Sequence, residues 1–201
     1  LSKLLPVLEE KNPEILTVTV RALSKIGATE GLAAIIRKLP LLLGKALVTR
    51  KAMETALLNF GEAAIPQLVE YRSDGGDPWI VSCVLETLSH LPPDTRSALF
   101  AGKHLYTPNA EVRSKALKVL GHPGATIPDD VSSRVPSLLN DTVWFVRIQA
   151  IKVAEQLASE AEAKLLGRLL YDTNWHVRDQ AALVRTRFGN RSIGIFLEAL
   201  N

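Results

Sequence analysis

With 201 residues, 47% hydrophobic and only 5% aromatic, the chain carries enough apolar surface for a sizeable core built mainly from aliphatic side chains. Twenty-four Lys and Arg against 21 acidic residues leave a formal charge of +3, too small for a strong basic field over an extended surface. The single cysteine, Cys83, excludes an intramolecular disulfide and a cysteine-built zinc cage, and no apolar run approaches the ~20 residues a bilayer span needs.

In chain order the elements come in pairs. Leu1–Glu10, with Pro6 in its first turn, precedes a helix centred on Leu16 that carries Val20 and Leu23 on one face and stops at Gly27. Thr29–Leu39, with Thr29 as N-cap, precedes a helix centred on Val48 (Ala52, Thr55) that ends by Gly61. Glu62–Tyr71, with Pro66 near its start, precedes one centred on Val81 (Leu85, Leu88), closed by Pro92-Pro93. Asp94–Leu105, capped by Asp94, precedes Val112 (Ala116, Val119) and the stop at Gly121. Asp129–Asn140, capped by Asp129 and holding Pro136, precedes Val146 (Ala150, Val153, Leu157). Glu160–Tyr171 precedes Val177 (Ala181, Val184, Phe188) and Gly189. Asn190–Leu200 reads as the first helix of a seventh pair. The glycines are expected to supply a left-handed C′ conformation, and each second helix to start at its centre. The longest loop signals are Ser73–Pro78 and Gly121–Gly124.

The centres at 16, 48, 81, 112, 146 and 177 are spaced by 32, 33, 31, 34 and 31 residues. A near-constant period of this size signals a solenoid, whose units touch only their neighbours and have no private core. The expected fold is therefore all-α: an α-solenoid, or superhelix, of helical hairpins. Residues 1–201 then form a single repeat domain of about six helix pairs plus a terminal helix. The chain starts at Leu1 without Met and ends at Asn201 inside an apparent helix, so it reads as a domain excised from a longer protein.

The fifth and sixth units superpose without a gap, matching Asp141 with Asp172, Trp144-Phe145-Val146-Arg147 with Trp175-His176-Val177-Arg178, and Ala150 with Ala181. Their shared pattern, Leu-Leu-x-Asp-x-x-Trp-x-Val-Arg-x-x-Ala at Leu138–Ala150 and Leu169–Ala181, resembles HEAT repeats in the short bacterial form, also seen in the phycobilisome-lyase-like HEAT group. The likeness is strong over Ala110–Gly189 and weak in the first two units. It implies a scaffold fold, which by itself names no function. It also implies a ladder between adjacent repeats, made by the Asp before the second helix and the Arg after Val. Residue by residue, that ladder carries over to Asp141, Arg147, Asp172 and Arg178, and partly to Arg113. Ser82, Thr49 and Thr17 replace the Arg in the N-terminal half, which is expected to be less regular or to use its surface differently. Residues 175–182 resemble, in addition, bacterial HEAT proteins with an N-terminal membrane anchor beside glycosyltransferase partners. That resemblance implies a location in the cytoplasm, or at the cytoplasmic face of an anchored parent.

Trp79, Trp144 and Trp175 each stand two residues before a centre, so stacking of the repeats should line them along one rim, interrupted by Ala110. One reading is an aromatic binding ridge, with His176 beside Trp175, since Trp is enriched at interaction hot spots. The plainer one is that each indole caps the core between helices. Arg147 and Arg178 could grip an anion or, more simply, pair with Asp141, Asp172 or their neighbours. Lys115, Lys118, Lys152, Arg185 and Arg187 lie on successive second helices and could form a basic groove, but Glu86, Glu155 and Asp179 interrupt it. His90, His104 and His122 share no ligand spacing, Asp129-Asp130 is explained by a helix N-terminus, and Cys83 has no activating partner. Neither metal nor cofactor is expected. The function that follows is a non-catalytic protein–protein interaction scaffold with a concave face and an aromatic rim, its partner another protein. The alternatives are a nucleic-acid-binding array, a DNA glycosylase-like enzyme using Trp144, Asp172 and Arg185, and a bilin-lyase-like activity.

Overall fold

The computed structural model describes residues 1–44, 48–71, 77–157 and 165–188, and for 185–188 the backbone alone. The regular elements among these residues are helical. They are a 3-10 turn at Leu5–Glu9, α1 (Pro13–Ile26), α2 (Thr29–Gly44), α3 (Arg50–Leu58) and a 3-10 turn Gly61–Ala64 that runs into α4 (Ile65–Val69). Then come α5 (Pro78–Leu88), α6 (Thr95–Lys103), α7 (Ala110–Leu120), α8 (Asp129–Ser132), α9 (Val135–Leu138) and α10 (Trp144–Leu157). A helical stretch at 165–168 leads into a 3-10 turn, Leu169–Tyr171, and α11 (Trp175–Phe188) follows. The chain forms two compact units, Leu1–Phe100 and the part from Ala101 onward. No described helix is long and apolar enough to cross a membrane.

In the first unit α1 packs on α2 and α3, and α3 packs on α5. The buried stripe is Leu16, Val20 and Leu23 on α1 and Met53, Ala56 and Leu57 on α3. Every side chain from Ile80 to Leu85 is buried, so α5 is enclosed nearly all round. The second helices begin two or three residues before their centres rather than at them, because the start is set by capping. Asn12 Oδ1 accepts from the N–H groups of Glu14 and Ile15, and Asp77 Oδ1 accepts from that of Trp79, each just before a proline at the first helical position. The unit around Val48 departs in the other direction. Thr49 caps α3 through Ala52 N–H, so buried Val48 lies outside the helix.

Helix α2 departs from expectation at both ends. Helix α2 does not stop at Leu39 but continues through Pro40 to Gly44, forgoing the bond a residue-40 N–H would have made. The extension buries Leu42, whose carbonyl accepts from Val48 N–H at 2.9 Å. Thr29 is the first helical residue of α2, not its cap. Gly27 does end α1 in the left-handed region, at φ 70°, as expected for a C-terminal glycine.

In the second unit α10 packs between α7 and α11. Val112 and Ala116, Val146, Ala150 and Val153, and Val177, Ala181 and Val184 are all buried along the three helices. The helix expected over Asp129–Asn140 is instead two single turns, α8 and α9. Pro136 cannot supply the N–H a continuous helix would need there, and Ser132, Ser133 and Ser137 turn their hydroxyls back onto backbone carbonyls. Pro128, not Asp129, occupies the cap position of α8, without a side-chain bond, whereas Asp94 does accept from Arg96 N–H at the start of α6. Gly121 is not left-handed (φ −79°). Its Cβ would stand 3.3 Å from Leu117 O and 3.6 Å from Val153 Cγ2, so close packing favours glycine there. Residues 158–164, the stop at Gly189 and the helix expected over Asn190–Leu200 lie outside the described residues, as do 73–76.

Gly102, inside α6, went unremarked in the sequence, yet a Cβ there would lie 2.7 Å from Val131 Cγ2 on α8. Gly102→Ala should lower stability by about 1–3 kcal/mol despite alanine's better helix propensity. Chemical denaturation checks this, and adding Val131→Ala should recover part of the loss.

His104, only 6% exposed, titrates below the ordinary imidazole value because burial, reinforced by the Lys103 charge, disfavours its cation. The unfolded chain takes this proton near pH 6.5 and the folded chain only below that. Stability present above about pH 6.5 is therefore lost as the pH falls through the folded value. Thermal melts from pH 7.5 to 5 should show a decline that is shallower in His104→Gln.

Candidate interaction surface

The loops that start α7, α10 and α11 share one construction. Arg113 Nη1 donates to the carbonyls of Thr107 and Pro108, Arg147 Nη1 to those of Asp141 and Thr142, and Arg178 Nη1 to those of Asp172 and Thr173. Each Arg thus ties down the turn six and five residues before it. The opposite edge of the guanidinium reaches the next repeat. Arg113 Nε and Nη2 bond the two carboxylate oxygens of Asp141 at 2.7 and 2.9 Å, and Arg147 Nε and Nη2 bond those of Asp172 at 2.8 and 2.6 Å. These are bidentate, charge-assisted pairs. They are also largely enclosed, with side-chain exposures of 11% for Arg147 and 8% for Asp172.

Each carboxylate is already placed by its own turn. Asp141 Oδ1 accepts from Val143 N–H and Asp172 Oδ1 from Asn174 N–H, both at 2.8 Å. Burial raises the pKa of both Asp residues, but the Arg and backbone donors outweigh it, and both stay below the ordinary carboxylate value. Arg178 is exposed, and its fork edge has no carboxylate partner among the described residues. With both its oxygens held by Arg147, Asp172 is not a free carboxylate beside Trp144. The side chain of Arg185 lies outside the described residues.

On this clamped frame the first turns of α10 and α11 carry four rings. The His176 imidazole stacks on Trp144 at 5.0 Å between centroids and 16° between planes, and on Trp175 at 3.5 Å and 29°. Phe145 meets Trp144 edge-on at 5.7 Å. Trp144 is 39% exposed and Trp175 59%, so each indole presents part of its surface to solvent. Trp79, 60% exposed, belongs to the first unit, where Arg50 lies over its ring at 4.9 Å. Arg50 also reaches Ser82 Oγ at 3.5 Å and Glu54 at 3.5 Å. It is a connection that sequence reading missed, because Arg50 stands one position past the repeat's expected Arg.

The basic groove expected on the second helices of the second unit is mixed in composition. Lys152 shares a shallow cleft with Glu155, Gln156 and Gln180, and Lys115 and Lys118 both have partners. Among the described residues no group of three His, Cys, Asp or Glu gathers into a metal site. Cys83 is buried.

Breaking one rung tests the clamp. Arg147→Ala leaves Asp172 enclosed without its partner and frees two loop carbonyls, a loss expected to be about 3–5 kcal/mol. Arg178→Ala, lacking the carboxylate contact, should leave the melting temperature close to that of the parent chain. Equal losses from the two variants would show that the loop carbonyls, not the carboxylate pair, carry the stabilisation.

The sequence profile of HEAT repeats matches residues 98–185. No curated protein sequence matches the chain. Among solved structures, a chain of the complex of CpcE and CpcF of phycocyanin lyase from Nostoc sp. PCC7120 is similar with a TM-score of 0.62 and 23% identity, over 76% of this chain and 99% of that one. An engineered protein is similar at 0.55 and 17%, over 98% and 96%. A designed armadillo repeat protein in complex with the peptide (KR)4 is similar at 0.54 and 15%, over 93% and 98%. The helical pairs and these likenesses give the chain the all-α, α-solenoid fold, with a HEAT-repeat profile over residues 98–185.

Proposed function

We propose that the chain is a non-catalytic scaffold that binds another protein through the aromatic surface at the start of α10 and α11. The observation that carries this reading is the exposed Trp144–His176–Trp175 stack, held on loops that the Arg147–Asp172 pair fixes in place. Aromatic rings already ordered by mutual stacking lose little side-chain freedom on binding, and that favours affinity. Exposed Trp is also the residue type most enriched among binding hot spots. Two of the similar structures, a chain of the CpcE–CpcF complex and the armadillo design with its peptide, carry this fold within protein assemblies, which supports the same reading. Trp79 with Arg50 over its ring is a second contact candidate in the first unit. The loop Arg residues serve as positioning groups, and the partner is met in the cytoplasm or at the cytoplasmic face of a membrane-anchored parent.

Capture of partners from native lysate, with nuclease treatment and at two salt concentrations, tests the proposal. A partner retained by the parent chain should bind Trp144→Ala/Trp175→Ala about thirtyfold more weakly, since one hot-spot Trp is worth about 2 kcal/mol or more. Thermal melts of the same variant should change little. A melting temperature that falls in step with binding would return the indoles to a packing role, and recovery of nucleic acid alone, at low salt, would favour a nucleic-acid binder.

A further inference from the structure

A cleft of about 260 Å³ opens between α1 and α3 in the first unit, flanked by Arg21 from one helix and Lys51 from the other. Both cations are exposed, and neither has a hydrogen-bond or ion-pair partner among the described residues. Among the described residues no carboxylate lines the cleft. The acidic residues of the two helices are Glu14 and Glu54, and Glu54 is held by Arg50 at 3.5 Å.

The remaining polar groups sort by what they can still donate. Thr17 and Thr55 give their hydroxyl protons to the carbonyls of Pro13 and Lys51, both at 2.8 Å, and Ser24 gives its own to Arg21 O at 2.9 Å. Thr49 Oγ1 accepts from Ala52 N–H and keeps its proton free. Asn59 Nδ2 spends one hydrogen on Ser24 Oγ at 3.2 Å and keeps the other. The cleft therefore presents two cations, a hydroxyl donor and an amide donor, with no acid beside them. Lys152 in the second unit, by contrast, shares its cleft with Glu155.

We infer that this cleft is an oxyanion site that receives an acidic side chain of a peptide partner. The chemistry it selects is a carboxylate or phosphate group on a single residue, as in a glutamate or a phosphoserine. Its volume, below the ~300 Å³ at which pockets for drug-sized molecules begin, suits one such side chain rather than a larger ligand. The peptide nature of the occupant rests on the scaffold reading above, but the site belongs to different helices and different chemistry from the aromatic stack.

The test is fluorescence anisotropy of the full chain with three labelled peptides: hexaglutamate, a phosphoserine peptide of equal charge, and hexaglutamine. Saturable binding of at least one acidic peptide is expected, with hexaglutamine inactive; the tighter of the two acidic peptides identifies the group. Arg21→Gln/Lys51→Gln should weaken that binding about tenfold or more, with an unchanged melt because both side chains are exposed. Lys152→Gln and Trp144→Ala/Trp175→Ala should bind as the parent does, so the cleft can fail while the aromatic surface stands, and the reverse. Absence of saturable binding, equal binding of hexaglutamine, no effect of Arg21→Gln/Lys51→Gln, or an equal loss in Lys152→Gln would each overturn the site.

Discussion

A helical hairpin of some thirty residues cannot enclose its own apolar stripe, and that constraint governs the rest of this structure. Each second helix must find its cover on the neighbouring repeat. The consequence is visible in α5, where every side chain from Ile80 to Leu85 is buried. It is visible again in α10, which lies between α7 and α11 with Val146, Ala150 and Val153 withdrawn from water. Apolar packing of this kind is non-directional. It drives the repeats together without fixing how one is placed along the next, so a directional contact has to supply the register.

In the second unit that contact is the Arg–Asp fork. A single guanidinium serves two loops: its Nη1 holds the turn of its own repeat, and its Nε and Nη2 hold the aspartate of the following one. The planar, five-donor geometry of Arg makes this division feasible, and Lys could not reproduce it. Asp172 is set in advance by the Asn174 N–H, so little rearrangement is needed when the fork closes. The first unit lacks Arg at the same position and shows no such fork among the described residues; its repeats are joined instead by single contacts, Asn59 to Ser24 at 3.2 Å, Arg50 to Ser82 at 3.5 Å and the more exposed Lys38–Glu9 ion pair. Thr49, where the Arg would stand, is used to start α3 instead.

The sequence made the helix pairs legible because burial imposes a period, and buried positions such as Val146 and Val177 cannot drift without exposing apolar surface. Helix ends were legible only where one residue decides them, as at Gly27 and Asp94. They were not legible where competing local bonds decide. The serine hydroxyls and Pro136 split one expected helix into α8 and α9, and burial of Leu42 carried α2 past Pro40. Spacing also placed Trp144, Trp175 and His176 on equivalent turns, but not the order of their rings, since a rotamer leaves no periodic trace. The Arg21–Lys51 cleft was hidden for a related reason. Its character depends on which hydroxyl protons are already spent on the backbone, and composition does not record that.

The aromatic stack illustrates how the clamp and the surface depend on each other. An exposed indole alone is free to sample several rotamers, and ordering it against a partner costs side-chain entropy. Here the His176 ring lies against both indoles, so each restricts the other two. That restriction holds only while the first turns of α10 and α11 keep their spacing, because Trp144 belongs to one repeat and His176 to the next. The group that fixes the spacing is Arg147, three residues after Trp144, through its bond to Asp172, three residues before Trp175. The bidentate pair between these repeats thus lies, in sequence, within three residues of the rings on either side, and the stack bridging the two repeats depends on the spacing that this pair holds.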